Sequence, residues 1–324
     1  MRDKPKYIIY HPKPETMTRE DLNLTFIDPD LMFDLMSVPS VFWHEGMMQD
    51  FLMHYACLNG IEAHQDEAGN VYLQKGCCAE GEYYPCFSAH MDSVQLDQLP
   101  YIEKGERLVI KTGTQKDLHT LYTDDFGLGG DDKAGILISL TVMSRLEKAK
   151  AVFFVAEEKG CLGSEKMDVE WFRDVGYVIA FDSPGLWRAS YSCWGIKLFD
   201  TEFFRRYLEP LSLNFGRVIY VADAYTDVKN IREKTELACM NMGAGYYDYH
   251  SSGEYCIVEH MDQACEIGLT LVGNLESGRY VIPLDRTLDE ITRYRPDALD
   301  FYINGYNNAE KLRIDRKKKK NEKK

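Results

Sequence analysis

His90 and Asp92 (H-M-D), Asp131 and Asp132 (G-G-D-D-K), Glu157 and Glu158, and Asp182 share one placement: each lies at or just beyond the end of a short apolar run. Imidazole and carboxylate side chains with no thiolate among them suit divalent zinc, cobalt or manganese. Carboxylates converging in this number repel one another strongly unless cations neutralise them. Types and placement alone therefore predict a metal site.

The elements that must position these residues follow from the apolar pattern. YPCFSAH (84–90) reads as a buried strand ending at a histidine, AVFFVAEE (151–158) as a strand ending in two acids, and YVIAFDSPG (177–185) as a strand closed by Pro-Gly. Between them KAGILISLTVMSRL (133–146) has helical spacing and follows a Gly-rich turn. Further helices are predicted over 41–60, with Gly60 as its stop, near 198–212 and near 258–275, and further strands over 217–224 and 236–243. Strands alternating with helices predict an α/β fold with a sheet that is parallel at least in its centre. In such a sheet, ligands bind in the crevice beyond the carboxyl ends of the strands, where these acids and His90 fall.

Composition removes several other classes. The 324 residues carry 38 Lys plus Arg against 52 Asp plus Glu, a net charge of −14. Residues 311–324 (KLRIDRKKKKNEKK) hold nine basic and two acidic residues, a local +7, so residues 1–310 carry −21. A body this acidic repels phosphate backbones, which argues against nucleic-acid binding by the folded part. The Lys-rich tail has no aromatic residue to stack on bases and reads as a solvated, disordered end. The first residues, MRDKPKYIIYHPKPE, have no apolar h-region, and no stretch approaches the roughly 18 apolar residues of a membrane span. The nine cysteines are odd in number and show no C-x-x-C pair, as expected of reduced thiols in a cytoplasmic protein.

Taken in order, the segments resemble those of the co-catalytic dinuclear zinc peptidases, the M28, M20 and M42 families that share one catalytic fold. S-A-H-M-D-S-V resembles their H-x-D segment and G-L-G-G-D-D-K-A-G-I the one with a bridging Asp. F-V-A-E-E-K-G-C-L-G-S resembles the Glu-Glu segment, and G-Y-Y-D-Y-H-S-S-G-E-Y the stretch with the last His ligand. Order and spacing match from about residue 85 to 260. The resemblance implies a three-layer α/β/α fold with a mixed, centrally parallel sheet. It implies that His90, Asp131 and Asp182 hold one metal and that Asp131, Glu158 and His250 hold the other, with Asp131 bridging. Glu157 would be the general base, Asp92 would orient the His90 imidazole, and a cis peptide would follow Asp131. Two such cations bring the pKa of a shared water toward neutrality and polarise a scissile carbonyl, and Glu157 would carry the water's proton to the leaving amine. Tyr246, Tyr247 and Tyr249 are candidate donors to the oxyanion. Asp227, in A-Y-T-D-V, resembles a T-D segment near the substrate pocket, but an ordinary turn aspartate fits it as well. His11, His44, His54, His64, His119 and His260 have no such company and read as structural or surface residues.

Spacing also bears on architecture. Only 67 residues separate Asp182 from His250, and 38 separate Asp92 from Asp131. Neither interval leaves room for a separate lid or a full-size inserted domain, so one catalytic domain over 1–310 is expected. Without a lid to bind a substrate's C-terminal carboxylate, and with an acidic body that favours a cationic α-amine, the expected activity is an aminopeptidase on short peptides. The alternative on the same two-metal site is an N-acyl-amino-acid amidohydrolase.

Overall fold

The computed structural model describes residues 17–215, 218–223 and 226–284. The Lys-rich segment 311–324 and His11 lie outside these described residues.

The main sheet contains β1 (Glu62–Gln65), β2 (Val71–Lys75), β3 (Tyr84–His90), β6 (Ala149–Phe154), β7 (Val175–Ser183), β8 (Arg188–Cys193), β9 (Ile196–Lys197), β10 (Ile219–Asp223) and β11 (Cys239–Gly243). A smaller sheet contains β4 (Lys111–Gln115), β5 (Leu118–Tyr122), β12 (Tyr246–Tyr247) and β13 (Tyr255–Ile257). The main sheet runs β1-β2-β6-β3-β7-β11-β8-β10, with β9 paired to β8. Its centre, β6-β3-β7-β11, is parallel, while β1, β2 and β6 pair antiparallel, as do β11 and β8. The expected mixed, centrally parallel sheet is thus present.

Central strands read as unbroken apolar runs because both faces are covered. Every residue of β3 and β6 is buried, and all of β7 but Asp182. Lys150 is the exception to apolarity in β6. Its ammonium donates to the Trp171 carbonyl at 2.9 Å, pairs with Asp174 at 2.6 Å and lies 4.4 Å from the Trp171 ring centroid. The helix Gly130–Arg145 is buried from Gly130 to Met143, the charged Asp131, Asp132 and Lys133 of its first turn included. It packs on β3, β7 and β6 and against the helices Val258–Leu275 and Pro29–Met36. The helix Val228–Thr235 lies against β11 and the short helix Leu162–Glu165.

Several element bounds differ from the sequence expectation for local reasons. The strand expected to reach Glu158 stops at Phe154, because Ala156 turns into the left-handed region at φ 51° and Glu157–Lys159 form a 3-10 turn. The helix expected over 41–60 is Gly46–Leu58, and Gly60 sits beyond its end at φ 65°. The helix expected near 198–212 runs over Thr201–Phe203, a π-helical stretch Phe204–Leu208, and Glu209–Asn214, with Asp200 accepting from the Phe203 N–H at 2.7 Å. The small sheet, ordered β12-β13-β5-β4 and antiparallel throughout, was not foreseen; β5 and β13 both pack on the Val258–Leu275 helix.

Candidate metal centre

Three parallel strands and one helix start deliver the acids and His90 to one edge of the sheet. His90 ends β3 and is 2% exposed. Its Nδ1 lies 3.0 Å from the Asp92 backbone carbonyl and 3.5 Å from the Asp92 carboxylate. The oxygens of that carboxylate accept the N–H groups of Glu157 at 2.9 Å and Glu158 at 3.1 Å. Asp92 thus ties the turn after β6 to the end of β3. The imidazole is fixed more closely by the Asp92 main chain than by its side chain.

Asp131 enters from the start of the Gly130–Arg145 helix, after Gly129 at φ 71°, and the Asp131–Asp132 peptide is cis. Its carboxylate lies between two imidazoles, Oδ1 at 3.2 Å from His90 Nε2 and Oδ2 at 3.2 Å from His250 Nε2. Asp132 faces away. It accepts the Gly135 N–H at 3.0 Å and the His90 N–H at 3.3 Å, which binds the first helical turn to β3. Gly135 has to be glycine: a Cβ there would sit 2.4 Å from the Phe181 carbonyl and 2.3 Å from the Asp132 carboxylate.

Asp182, near the end of β7, lies with Oδ1 3.6 Å from His90 Nε2, and its Oδ2 accepts from the Thr226 hydroxyl at 2.8 Å. Asn241 on β11 exchanges two hydrogen bonds with the Asp182 backbone, at 2.8 and 3.0 Å. Glu157 Oε2 is 3.9 Å from His90 Nε2, and Glu158 Oε1 is 2.8 Å from His250 Nε2. His250, with a side chain 42% exposed and φ 58°, comes from the β12–β13 connection of the small sheet. The structure therefore brings together the seven residues that the resemblance assigned as metal ligands, base and orienting acid: His90, Asp92, Asp131, Glu157, Glu158, Asp182 and His250.

The protonation pattern is that of a site short of positive charge. Burial pushes Glu157 well above the usual carboxylate range, Asp182 up to about 6 and Asp227 up to about 7. Burial alone would lower the His90 imidazole, but hydrogen bonds to Asp131, Asp182 and Asp92 overcome it and raise it well above 6.5. The same contest, won by Asp131 and Glu158, lifts His250 to about 10. The donor set fits divalent ions directly: His90, Asp131 and Asp182 offer ligand atoms within 4.8 Å of one another, and so do Asp131, Glu158 and His250. A third group within the same limit, His90, Glu157 and Glu158, places Glu157 beside both.

Among the candidate oxyanion donors, Tyr246 is 2% exposed and its hydroxyl is raised by burial and by Asp131, Asp182 and Asp132 around it. Tyr247 turns elsewhere, its hydroxyl 2.6 Å from His260 Nδ1. Tyr249 packs edge-on to His250, ring centroids 4.8 Å apart. Asp227 is 3% exposed, and neither carboxylate oxygen has a hydrogen-bond partner among the described residues. Of the remaining histidines, His119 pairs with Glu259 at 2.7 Å and His64 stacks on Tyr72, both away from the site.

Sequence reasoning missed Glu254. This 1% exposed carboxylate accepts the Gly129 N–H at 2.6 Å and the Asp131 N–H at 3.0 Å, and it is pushed up to about 7 by burial. Its signal was present four residues after His250, in S-S-G-E-Y.

No protein-family model and no curated protein matches the sequence. Solved structures do. The aminopeptidase PepT of Bacillus cereus superposes with a TM-score of 0.63 at 15% identity, over 78% of this chain and 100% of that one. A tripeptidase of Staphylococcus aureus gives 0.60 at 14% identity, over 76% and 98%. An aminopeptidase from the archaeon Desulfurococcus kamchatkensis gives 0.59 at 13% identity, over 78% and 98%. The chain has the fold of these aminopeptidases. At such low identity the likeness concerns the fold, and a fold hosts many activities, so the chemistry must be argued from the site. Within the aminopeptidase fold, the acids and His90 of this chain occupy the edge where open α/β sheets bind ligands.

Proposed function

We propose that this chain is a metal-dependent aminopeptidase acting on short peptides. The observation that carries this reading is the Asp131 carboxylate set between His90 and His250, with a further acid, Asp182 or Glu158, beside each imidazole. His90, Asp131 and Asp182 would hold one divalent ion, and Asp131, Glu158 and His250 a second; zinc suits this donor set, and cobalt or manganese would serve. When bound, such ions polarise a carbonyl and make a water acidic.

The remaining work falls to the chain. Glu157 takes the proton of the attacking water at Oε2 and returns it to the leaving amine. Its buried setting suits this role, since burial raises its carboxyl above the ordinary range and so makes the carboxylate a stronger base. Asp92 keeps Glu157 and Glu158 in register with His90 through the two N–H groups it accepts. Burial beside Asp131 and Asp182 favours Tyr246 over Tyr247 as the donor to the oxyanion. A free α-amine is drawn to a chain of net charge −14. Removal of an acyl group, the second reading, is not favoured by the three similar structures named above, each an aminopeptidase or tripeptidase. No helix among the described residues is long and apolar enough to cross a membrane. Nine cysteines, six of them buried, suit a reducing compartment, and we place the protein in the cytoplasm.

The test is Glu157→Gln with a peptide panel. The variant should retain two metals per chain and lose turnover by at least about a thousand-fold, and acetylating the peptide's amine should abolish cleavage by the wild type. Full activity of Glu157→Gln, or equal cleavage of the acetylated peptide, overturns the corresponding part of the reading.

A further inference from the structure

The turn that carries Glu157 closes on itself. The N–H groups of Gly160 and Cys161 both donate to the Glu157 carbonyl at 2.8 Å, and Cys161 takes a left-handed backbone at φ 54°. This brings Cys161 Sγ, in a residue 1% exposed, to 3.4 Å from Glu157 Oε1. The other oxygen, Oε2, is the one 3.9 Å from His90 Nε2. Among the described residues no other group donates to this carboxylate. Asp227, its acidic neighbour, raises Glu157 further when charged.

We propose that Cys161 is a positioning residue for the general base: its S–H donates to Glu157 Oε1, fixes the plane of the carboxylate, and leaves Oε2 as the oxygen that meets the water. The proposal rests on the reading of Glu157 as base. The geometry makes the two oxygens inequivalent, one occupied by the protein and one turned to the chemistry. A base held by a single donor on the far oxygen keeps its basic lone pair aimed, where a free carboxyl rotor would sample many angles. The thiol is a donor here because it stays protonated; burial, with Asp227 and Glu157 nearby, pushes its pKa further up. The same enclosure separates it from reactive cysteines, which sit in electropositive, partly open surroundings.

The experiment compares Cys161→Ala, Cys161→Ser and Glu157→Gln in the full-length, metal-loaded protein, reading kcat, KM and metal content for a tripeptide. Loss of one weak, buried donor predicts a kcat about three- to ten-fold lower in Cys161→Ala, with KM and metal content unchanged. The serine hydroxyl supplies the same donor, so Cys161→Ser should keep kcat within about two-fold of wild type. A wild-type kcat in Cys161→Ala, or equal impairment in both variants, overturns the proposal. Should the alanine variant not fold, Cys161→Gly makes the same comparison, since glycine accepts the left-handed backbone without penalty. Glu157→Gln separates the two ideas: if it stays active, the assignment of the base fails. If it is inactive while Cys161→Ala matches wild type, only the positioning role fails.

Discussion

The Glu254 carboxylate holds the main-chain N–H of Asp131 at 3.0 Å, although 123 positions separate the two residues in sequence. One acid thereby fixes the backbone on which another must sit between two imidazoles. Glu254 also accepts from Gly129 at 2.6 Å and lies 3.3 Å from the Gln95 side-chain amide, so it binds the approach to the helix from three sides.

Replacing Glu254 with Ala leaves two buried N–H groups without acceptors. Each such loss costs about 1–3 kcal/mol, so stability should fall by about 3 kcal/mol in denaturant unfolding. Metal affinity should fall with it, because the Asp131 backbone loses its anchor. A variant as stable as wild type with unchanged metal affinity would refute this role.

The two proposed ions should respond differently to loss of one ligand. His250 belongs to one donor group, whereas Asp131 belongs to both. His250→Ala should reduce bound metal from two ions to one per chain, and Asp131→Ala should leave less than one, as measured by elemental analysis after dialysis. Equal stoichiometry in the two variants would contradict a bridging Asp131.

Removing metal should invert the pH dependence of stability. In the metal-free chain, burial raises Asp182 to about 6 and Asp227 to about 7, against an ordinary 3.8. A carboxyl raised in the folded state binds its proton more tightly folded than unfolded. Its contribution is complete below pH 4 and is lost as pH rises toward 7. His90 and His250, raised above 6.5, act in the same direction at higher pH. The metal-free protein should therefore be less stable at pH 7 than at pH 5, by on the order of 3 kcal/mol. Added zinc should reverse the order, because the ligands must shed protons to bind it. Thermal unfolding with and without chelator at the two pH values decides the matter.

The site was legible where chemistry coincided with strand ends. His90, Glu157, Glu158 and Asp182 follow buried apolar runs, and a parallel sheet places all such ends on one edge. Asp131 could be read because a Gly-rich turn precedes a helix. What could not be read depended on approach in space. Glu254 meets Asp131 only after β13 pairs with β5, and KTGTQ and LHTLY are too polar and half-exposed to read as strands. Cys161 looked like any buried thiol until the left-handed turn placed it on Glu157. Tyr246, Tyr247 and Tyr249 were indistinguishable in sequence, and only the structure turns Tyr247 toward His260.

The two donor groups differ in what encloses them. His90, Asp131 and Asp182 stand on the main sheet and its first buried helix, whereas His250 hangs from the small sheet and is 42% exposed at its side chain against 2% for His90. A local opening of the β12–β13 connection would uncage one ion and leave the other sealed. The two proposed ions should then exchange with solvent at unequal rates, the one beside His250 faster than the one between His90 and Asp182.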